Sequence, residues 1–160
     1  MRLEHLFAAH SQAAWRVLRR CGLDASAADD GLQQVFLVAR ERLGDIVPGR
    51  ERAFVCSVAV KVAARLREKA RREEPHAEPF EGSTPGVDEL YEQKRRRELL
   101  DGVLRGLDES LRTVLVLAEI EGLSKREVAE ELDIPEGTAA SRLRRAKHAF
   151  RARLEPVFRE

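Results

Sequence analysis

The stretch from Ser124 to Phe150, SKREVAEELDIPEGTAASRLRRAKHAF, restricts the fold more than any other part of the chain. Ser124, with Glu127 three positions on, forms a capping box, in which two side chains reciprocally satisfy free backbone N–H groups at a helix start. Val128, Ala129 and Leu132 follow as a short apolar stripe, with Ala129 small enough for two helices to cross closely. Asp133-Ile134-Pro135 reads as a turn, because aspartate tolerates the left-handed conformation and proline suits the first position of a helix. In the short helix that comes next, Ala139, Leu143, Ala146 and Phe150 recur at i, i+4, i+7 and i+11 and face inward, while Thr138, Ser141, Arg142 and Arg145 face outward. This is the pattern of a helix-turn-helix. A helix presenting hydroxyls and arginines without acids suits a DNA major groove, where arginine forks read guanine edges and the remaining groups clamp phosphates. The alternative is an ordinary helical hairpin with a basic outer face. Capping box, small crossing residue, turn and sided basic helix all occur in register, which favours the first reading.

The rest of the chain is also periodic at helical spacing, with no strand alternation and no repeats. A first helix is expected from about Leu3 to Cys21, with Leu3, Leu6, Phe7, Ala14, Val17, Leu18 and Cys21 on its apolar side and Gly22 to end it. A second starts near Asp24 or Ser26, either of which can cap it, and carries Ala28, Leu32, Val35, Phe36, Ala39 and Leu43 before Gly44 closes it. After a turn-rich loop, a third spans about Glu51 to Arg72; its middle, FVCSVAVKVAA, is apolar nearly all round, as in a helix central to a bundle. Residues 73–86, EEPHAEPFEGSTPG, hold three prolines and two glycines and read as a flexible linker, so mobility between the halves is the default. A second module starts near Val87, with one helix through Leu107 and another capped by Asp108 that stops at Gly122. The expected fold is all-α: two small helical domains, residues 1–72 and 87–160, joined by the linker at 73–86.

The net charge of +1 hides a strong segregation. From Lys61 to Arg72 six basic residues stand against Glu68 alone; residues 73–92 carry seven acids and no Lys or Arg; residues 137–154 hold six basic residues and no acid. Two basic patches around an acidic stretch suggest two contacts with a polyanion. No apolar run reaches the ~20 residues of a membrane span, and the charged N-terminus is no secretory signal, so a cytoplasmic protein without membrane insertion is expected. Cys21 and Cys56 read as buried thiols. His5, His10, His76 and His148 are scattered; with no phosphate loop or metal-ligand cluster, neither catalytic residues, nor a metal, nor a cofactor is expected.

Residues 96–154 resemble the C-terminal domain of the extracytoplasmic-function (ECF) group of bacterial RNA polymerase sigma factors. ADDGLQQVFLVARERL resembles that family's core-polymerase-binding segment, and ERAFVCSVAVKVAARLREKARR its promoter-melting helix. The resemblance implies that the N-terminal domain binds and opens the promoter hexamer nearest the start site, while the C-terminal domain holds the distant one. The acidic linker would thread through polymerase channels, the alternative being a linker that only keeps the chain soluble. Core-polymerase contacts would fall at Asp30, Gln33 and Gln34, joined by Leu37, an apolar residue on an otherwise polar face. Lys61, Arg65 and Arg72 would follow the strand backbone, phosphate neutralisation supplying most of the affinity. The loop from Gly44 to Arg52 matches the element that captures a flipped-out base. Expected partners are core RNA polymerase, promoter DNA and an anti-sigma factor, with the free protein a nucleoid-associated monomer.

Departures from the family pattern stand at Val58-Ala59-Val60-Lys61, at Arg65, at Asp133 and at Ala139-Ala140; Ala140 removes one expected phosphate contact. They leave room for a sigma-like decoy that titrates an anti-sigma factor. A plain helix-turn-helix regulator is the other alternative, but it leaves the first module and the Leu37 face unexplained.

Overall fold

The computed structural model describes residues 1–73 and 88–159, and these form seven α-helices. Three make the first half: α1 (Leu3–Arg20), α2 (Ala25–Glu41) and α3 (Glu51–Glu73). Four make the second: α4 (Asp88–Arg105), α5 (Glu109–Leu115), α6 (Lys125–Leu132) and α7 (Glu136–Phe158). The expected all-α class holds. Of the expected linker, Glu73 is the last residue of α3 and the remainder lies outside the described residues.

The first half is a bundle in which each helix packs on the other two. Gly22 at φ 96° ends α1, and the Asp24 carboxylate caps α2 by accepting from the Ala27 N–H at 2.8 Å. Leu18, fully buried on α1, lies over Gly31 of α2, where an added Cβ would come within 3.0 Å of the leucine. Two expectations fail here. Phe7 is 47% exposed; it stacks edge-on against Phe36 at 4.8 Å and lines a surface groove with Trp15 and Leu32. Ala13 takes the inward position instead. Gly44 does not close α2, which ends at Glu41 and leads into a 3₁₀ turn, Leu43–Asp45.

Every residue from Ala53 to Val60 on α3 is buried, and the reason is contact on two sides. The helix packs on α1 and α2 and also on α6 of the second half. Buried apolar residues of both halves therefore join in one contiguous cluster, from Leu6 to Ala146. Cys21 and Cys56 are free thiols in this interior, and burial pushes them up to about 11 and about 12. The halves are docked, contrary to the default mobility expected from linker composition.

In the second half, α5 and α6 both pack on α7. Asp108 sits at the cap position of α5 but makes no side-chain cap bond, correcting its expected role. Beyond Leu115 the helix widens into a π turn, Val116–Ile120, closed by the Glu121 N–H donating to the Val116 carbonyl at 3.0 Å. Among the described residues, no helix is long and apolar enough to cross a membrane.

Candidate nucleic-acid interface

The helix-turn-helix is built as its residues dictate. The Ser124 hydroxyl accepts from the Glu127 N–H at 3.1 Å, and the Glu127 carboxylate accepts from the Ser124 N–H at 2.8 Å. Asp133 ends α6 in the left-handed region, at φ 53° and ψ 50°. Pro135 is the N-cap of α7, at φ −58° and ψ 144°, one position before the first helical residue where it was expected. Nor is α7 short: it runs 23 residues, to Phe158. Loss of the Ser124 hydroxyl removes half of the reciprocal pair. Ser124→Ala is therefore expected to cost about 1 kcal/mol in urea unfolding; a loss below about 0.2 kcal/mol would show that the box contributes nothing.

Ala139, Leu143 and Ala146 of α7 are buried and Phe150 is half-buried, closing the helix against the core. Thr138, Ser141 and Arg142 are half-buried and Arg145 is exposed. The Ser141 hydroxyl donates to the Thr138 carbonyl at 3.2 Å, which turns this edge of the helix back on itself. Among the described residues the Arg142 and Arg145 side chains meet no acid. Lys147, one turn away, is instead tied to Glu119 of the π turn at 2.8 Å.

The second basic surface is on α3. Lys61, Arg65 and Arg72 are all exposed, but they are not equivalent. Arg65 donates to the Gln34 side-chain oxygen at 2.7 Å, Arg72 reaches Glu68 at 3.4 Å, and Lys61 donates to the Glu131 carbonyl at 3.4 Å. On α2, Asp30, Gln33 and Leu37 are exposed and Gln34 is half-buried, so these four form an open face with Leu37 48% accessible. Nothing from the second half covers it among the contacts described.

A third set of residues was not singled out from sequence. The Glu121 side chain, fully buried, accepts from Arg16 Nε at 2.6 Å and Nη2 at 2.9 Å, and from Arg52 Nη2 at 2.7 Å; Arg52 Nε also donates to the Glu121 carbonyl at 3.1 Å. Beside it, Arg50 pairs with Glu130 and lies 3.8 Å from Glu127, and the Ser57 hydroxyl donates to the Glu131 carboxylate at 2.9 Å. Arg126 and Arg50 hold the Glu130 carboxyl below the usual carboxylate range. Arg20 bonds Asp101 at 2.9 Å on the far side of the contact. These pairs join residues 69 to 105 positions apart, so no local pattern announces them. The charge alternation along the chain, basic in the first half and acidic on α6, is the one signal that could have pointed to them.

The family described as sigma-70, region 4 matches residues 97–150. The RNA polymerase sigma-H factor of Pseudomonas aeruginosa is 32% identical over 86% of this chain and 78% of its own length. The ferric citrate uptake sigma factor FecI of Escherichia coli is 29% identical over 95% of this chain and 91% of its own. Among solved structures, CnrH in complex with the cytosolic domain of CnrY matches with a TM-score of 0.74 over 96% of this chain and 88% of that one, at 23% identity, a likeness of fold.

Proposed function

We propose, from the premise that this chain belongs to the ECF group of bacterial RNA polymerase sigma factors, a division of labour between its halves in promoter-specific initiation. Residues 1–72 act as the domain that docks on core polymerase and opens the hexamer nearest the start site. Residues 73–86 are the connecting strap, and 87–160 hold the distant hexamer through the helix-turn-helix. The observation that carries this reading is that one chain presents three chemically distinct surfaces, the first two meeting where Arg65 bonds Gln34. An open α2 face with an exposed leucine, a basic stripe on α3 and an α7 arginine edge that meets no acid among the described residues are each assigned a different partner or a different stretch of DNA.

In this assignment Asp30, Gln33, Gln34 and Leu37 meet polymerase. Leu37 contributes apolar area, and the polar three fix the orientation. Lys61, Arg65 and Arg72 track the phosphates of the melted strand, so binding weakens as salt rises. Thr138, Ser141, Arg142 and Arg145 enter the major groove of the upstream element. No residue is assigned a catalytic step; the chemistry belongs to the polymerase. The protein works in the cytoplasm, associated with the nucleoid, and is a monomer when free. An anti-sigma partner fits the reading, since the similar folds include CnrH held by CnrY and a sigma factor of Bartonella quintana held by the anti-sigma factor NepR.

Run-off transcription with purified core polymerase and a promoter library tests the whole reading, and specific transcripts are expected. Absence of transcripts on every promoter would favour the decoy that the departures at Val58–Lys61 and Ala140 leave open. The α2 face has its own test. Asp30→Ala with Gln34→Ala is expected to weaken core binding by roughly tenfold, the equivalent of about 1.4 kcal/mol across two polar contacts. Because Gln34 accepts from Arg65, the double change also frees that arginine, so the titration is read on core polymerase without DNA. An unchanged affinity would remove the assignment.

A further inference from the structure

A groove of ≈ 560 Å³ opens where α1, α2 and α4 meet, and none of the surfaces assigned above uses it. Its size falls among those of small-molecule sites, roughly 300–1,000 Å³. Part of the lining is aromatic. Phe7 is 47% exposed although its ring meets Phe36 at 4.8 Å. Trp15 is half-buried, and its indole N–H donates to the Asp29 carboxylate at 2.9 Å, which fixes the ring. Leu32 of α2 adds further apolar surface.

The charged part of the lining is four arginines against one aspartate. Two of the four are already answered. Arg16 is held by the buried Glu121, and Arg20 donates to Asp101 at 2.9 Å, its own buried Nε having no partner among the described residues. The other two are not. Arg19 of α1 lies over the Trp15 ring at 5.5 Å, and Arg97 is exposed on α4; neither meets an acid among the described residues. A neutral ring in this groove would leave both guanidinium groups uncompensated, and a bare anion would leave Phe7 and Leu32 facing water. Free cations on two separate helices also favour a chain of phosphates over a single carboxylate, because arginine forks match phosphate oxygens and each can take its own.

We propose that this groove binds a nucleoside di- or triphosphate, with the base against Phe7, Leu32 and Trp15 and the phosphates toward Arg19 and Arg97. The proposal is independent of the promoter and polymerase assignments, which use none of these five side chains. Arg97 comes from the second half and the other four from the first, so a ligand seated here is held by both.

Trp15 is the chain's single tryptophan, so its fluorescence reports on the groove directly. The full-length free protein is titrated with ATP, GTP, adenosine and tripolyphosphate, each corrected for absorbance against free tryptophan. At least one of the two triphosphates is expected to change the emission saturably, half-maximal below about 1 mM, with adenosine and tripolyphosphate about tenfold weaker or more. Equilibrium dialysis with labelled ATP and GTP measures the same affinity without the fluorophore. Arg97→Gln is expected to weaken nucleotide binding roughly five- to tenfold, as the loss of one charge-assisted contact does. Phe7→Ala is expected to weaken it by a similar factor and to leave tripolyphosphate unchanged. Both side chains are exposed, so the unliganded protein keeps its fold in either variant. Arg105→Gln removes an exposed cation of the same helix outside the groove and is the control. Arg19 is left in place because its position over the indole would alter the emission by itself. Absence of binding by both nucleotides in dialysis, tripolyphosphate binding as well as either, or an R97Q effect no larger than that of R105Q would each overturn the proposal.

Discussion

Changing Arg142 and Arg145 together to alanine is expected to abolish promoter-specific transcripts in a reconstituted run-off reaction, while the thermal transition of the protein stays in place. Both side chains sit on the outer edge of α7, half-buried and exposed respectively, and neither holds the helix to the core. That task falls to Ala139, Leu143 and Ala146. A good bidentate arginine–base contact discriminates by about 1–3 kcal/mol, so losing two removes about 2–6 kcal/mol, or roughly 30-fold to 20,000-fold. Competing non-specific sites turn a loss of that size into silence at the promoter. Core binding through α2 should be unchanged, which separates failed recognition from failed assembly. Transcripts that persist at wild-type levels would take the recognition role away from this edge.

The largest stability effect is expected at Leu18. It is fully buried on α1 and packs over the bare backbone of Gly31 on α2, at a distance a methyl group could not enter without displacing it. Truncation to alanine leaves a cavity between the two helices, and the glycine opposite offers no side chain to refill it. Leu18→Ala is expected to cost about 2–5 kcal/mol in urea unfolding. Against a typical total of about 5–15 kcal/mol this is a large fraction. A cost under about 1 kcal/mol would mean that α1 and α2 do not depend on that contact.

Local signals were legible in the sequence where neighbours along the chain decide the outcome. The Ser124–Glu127 box, Asp133 in the left-handed region, the Asp24 cap and Gly22 at the end of α1 each depend on residues within one turn, and each forms as expected. Helical periodicity found all the major helices but misplaced Phe7, because a residue at the margin of an apolar stripe can stack on a neighbour's edge instead of entering the core. The sequence pattern marks a short helix where α7 runs 23 residues, and the π turn has no signature at all. Asp108 and Pro135 show the limit of propensity: each has the right residue type for a helix start, yet one forms no cap bond and the other stands one place earlier.

What pairs across the chain was not legible. Glu121 sits in a segment read only as a helix ending at Gly122, and its partners Arg16 and Arg52 lie 105 and 69 residues away. Proline and glycine content between the halves argued for mobility; it carried no information about the ion pairs that hold them together. The all-round apolar middle of α3 marks a helix central to a bundle, and it is, but it is central to both halves rather than to the first alone. Of the candidate site, the α7 edge and the α2 face could be drawn from sequence. The present occupancy of Lys61 could not.

The two-sided burial of α3 has a cost for any partner. From Ala53 to Val60 the only side-chain polar oxygen or nitrogen is that of Ser57, so water reaching this strip would find almost nothing to hydrogen-bond. A chain prised open in bulk solvent would expose a sticky seam, the type of surface on which proteins clump. Handover to a larger machine must therefore be concerted, with fresh dry protein surface arriving as the old cover leaves. The chain is safest when it unfolds its arms only in the grip of something else.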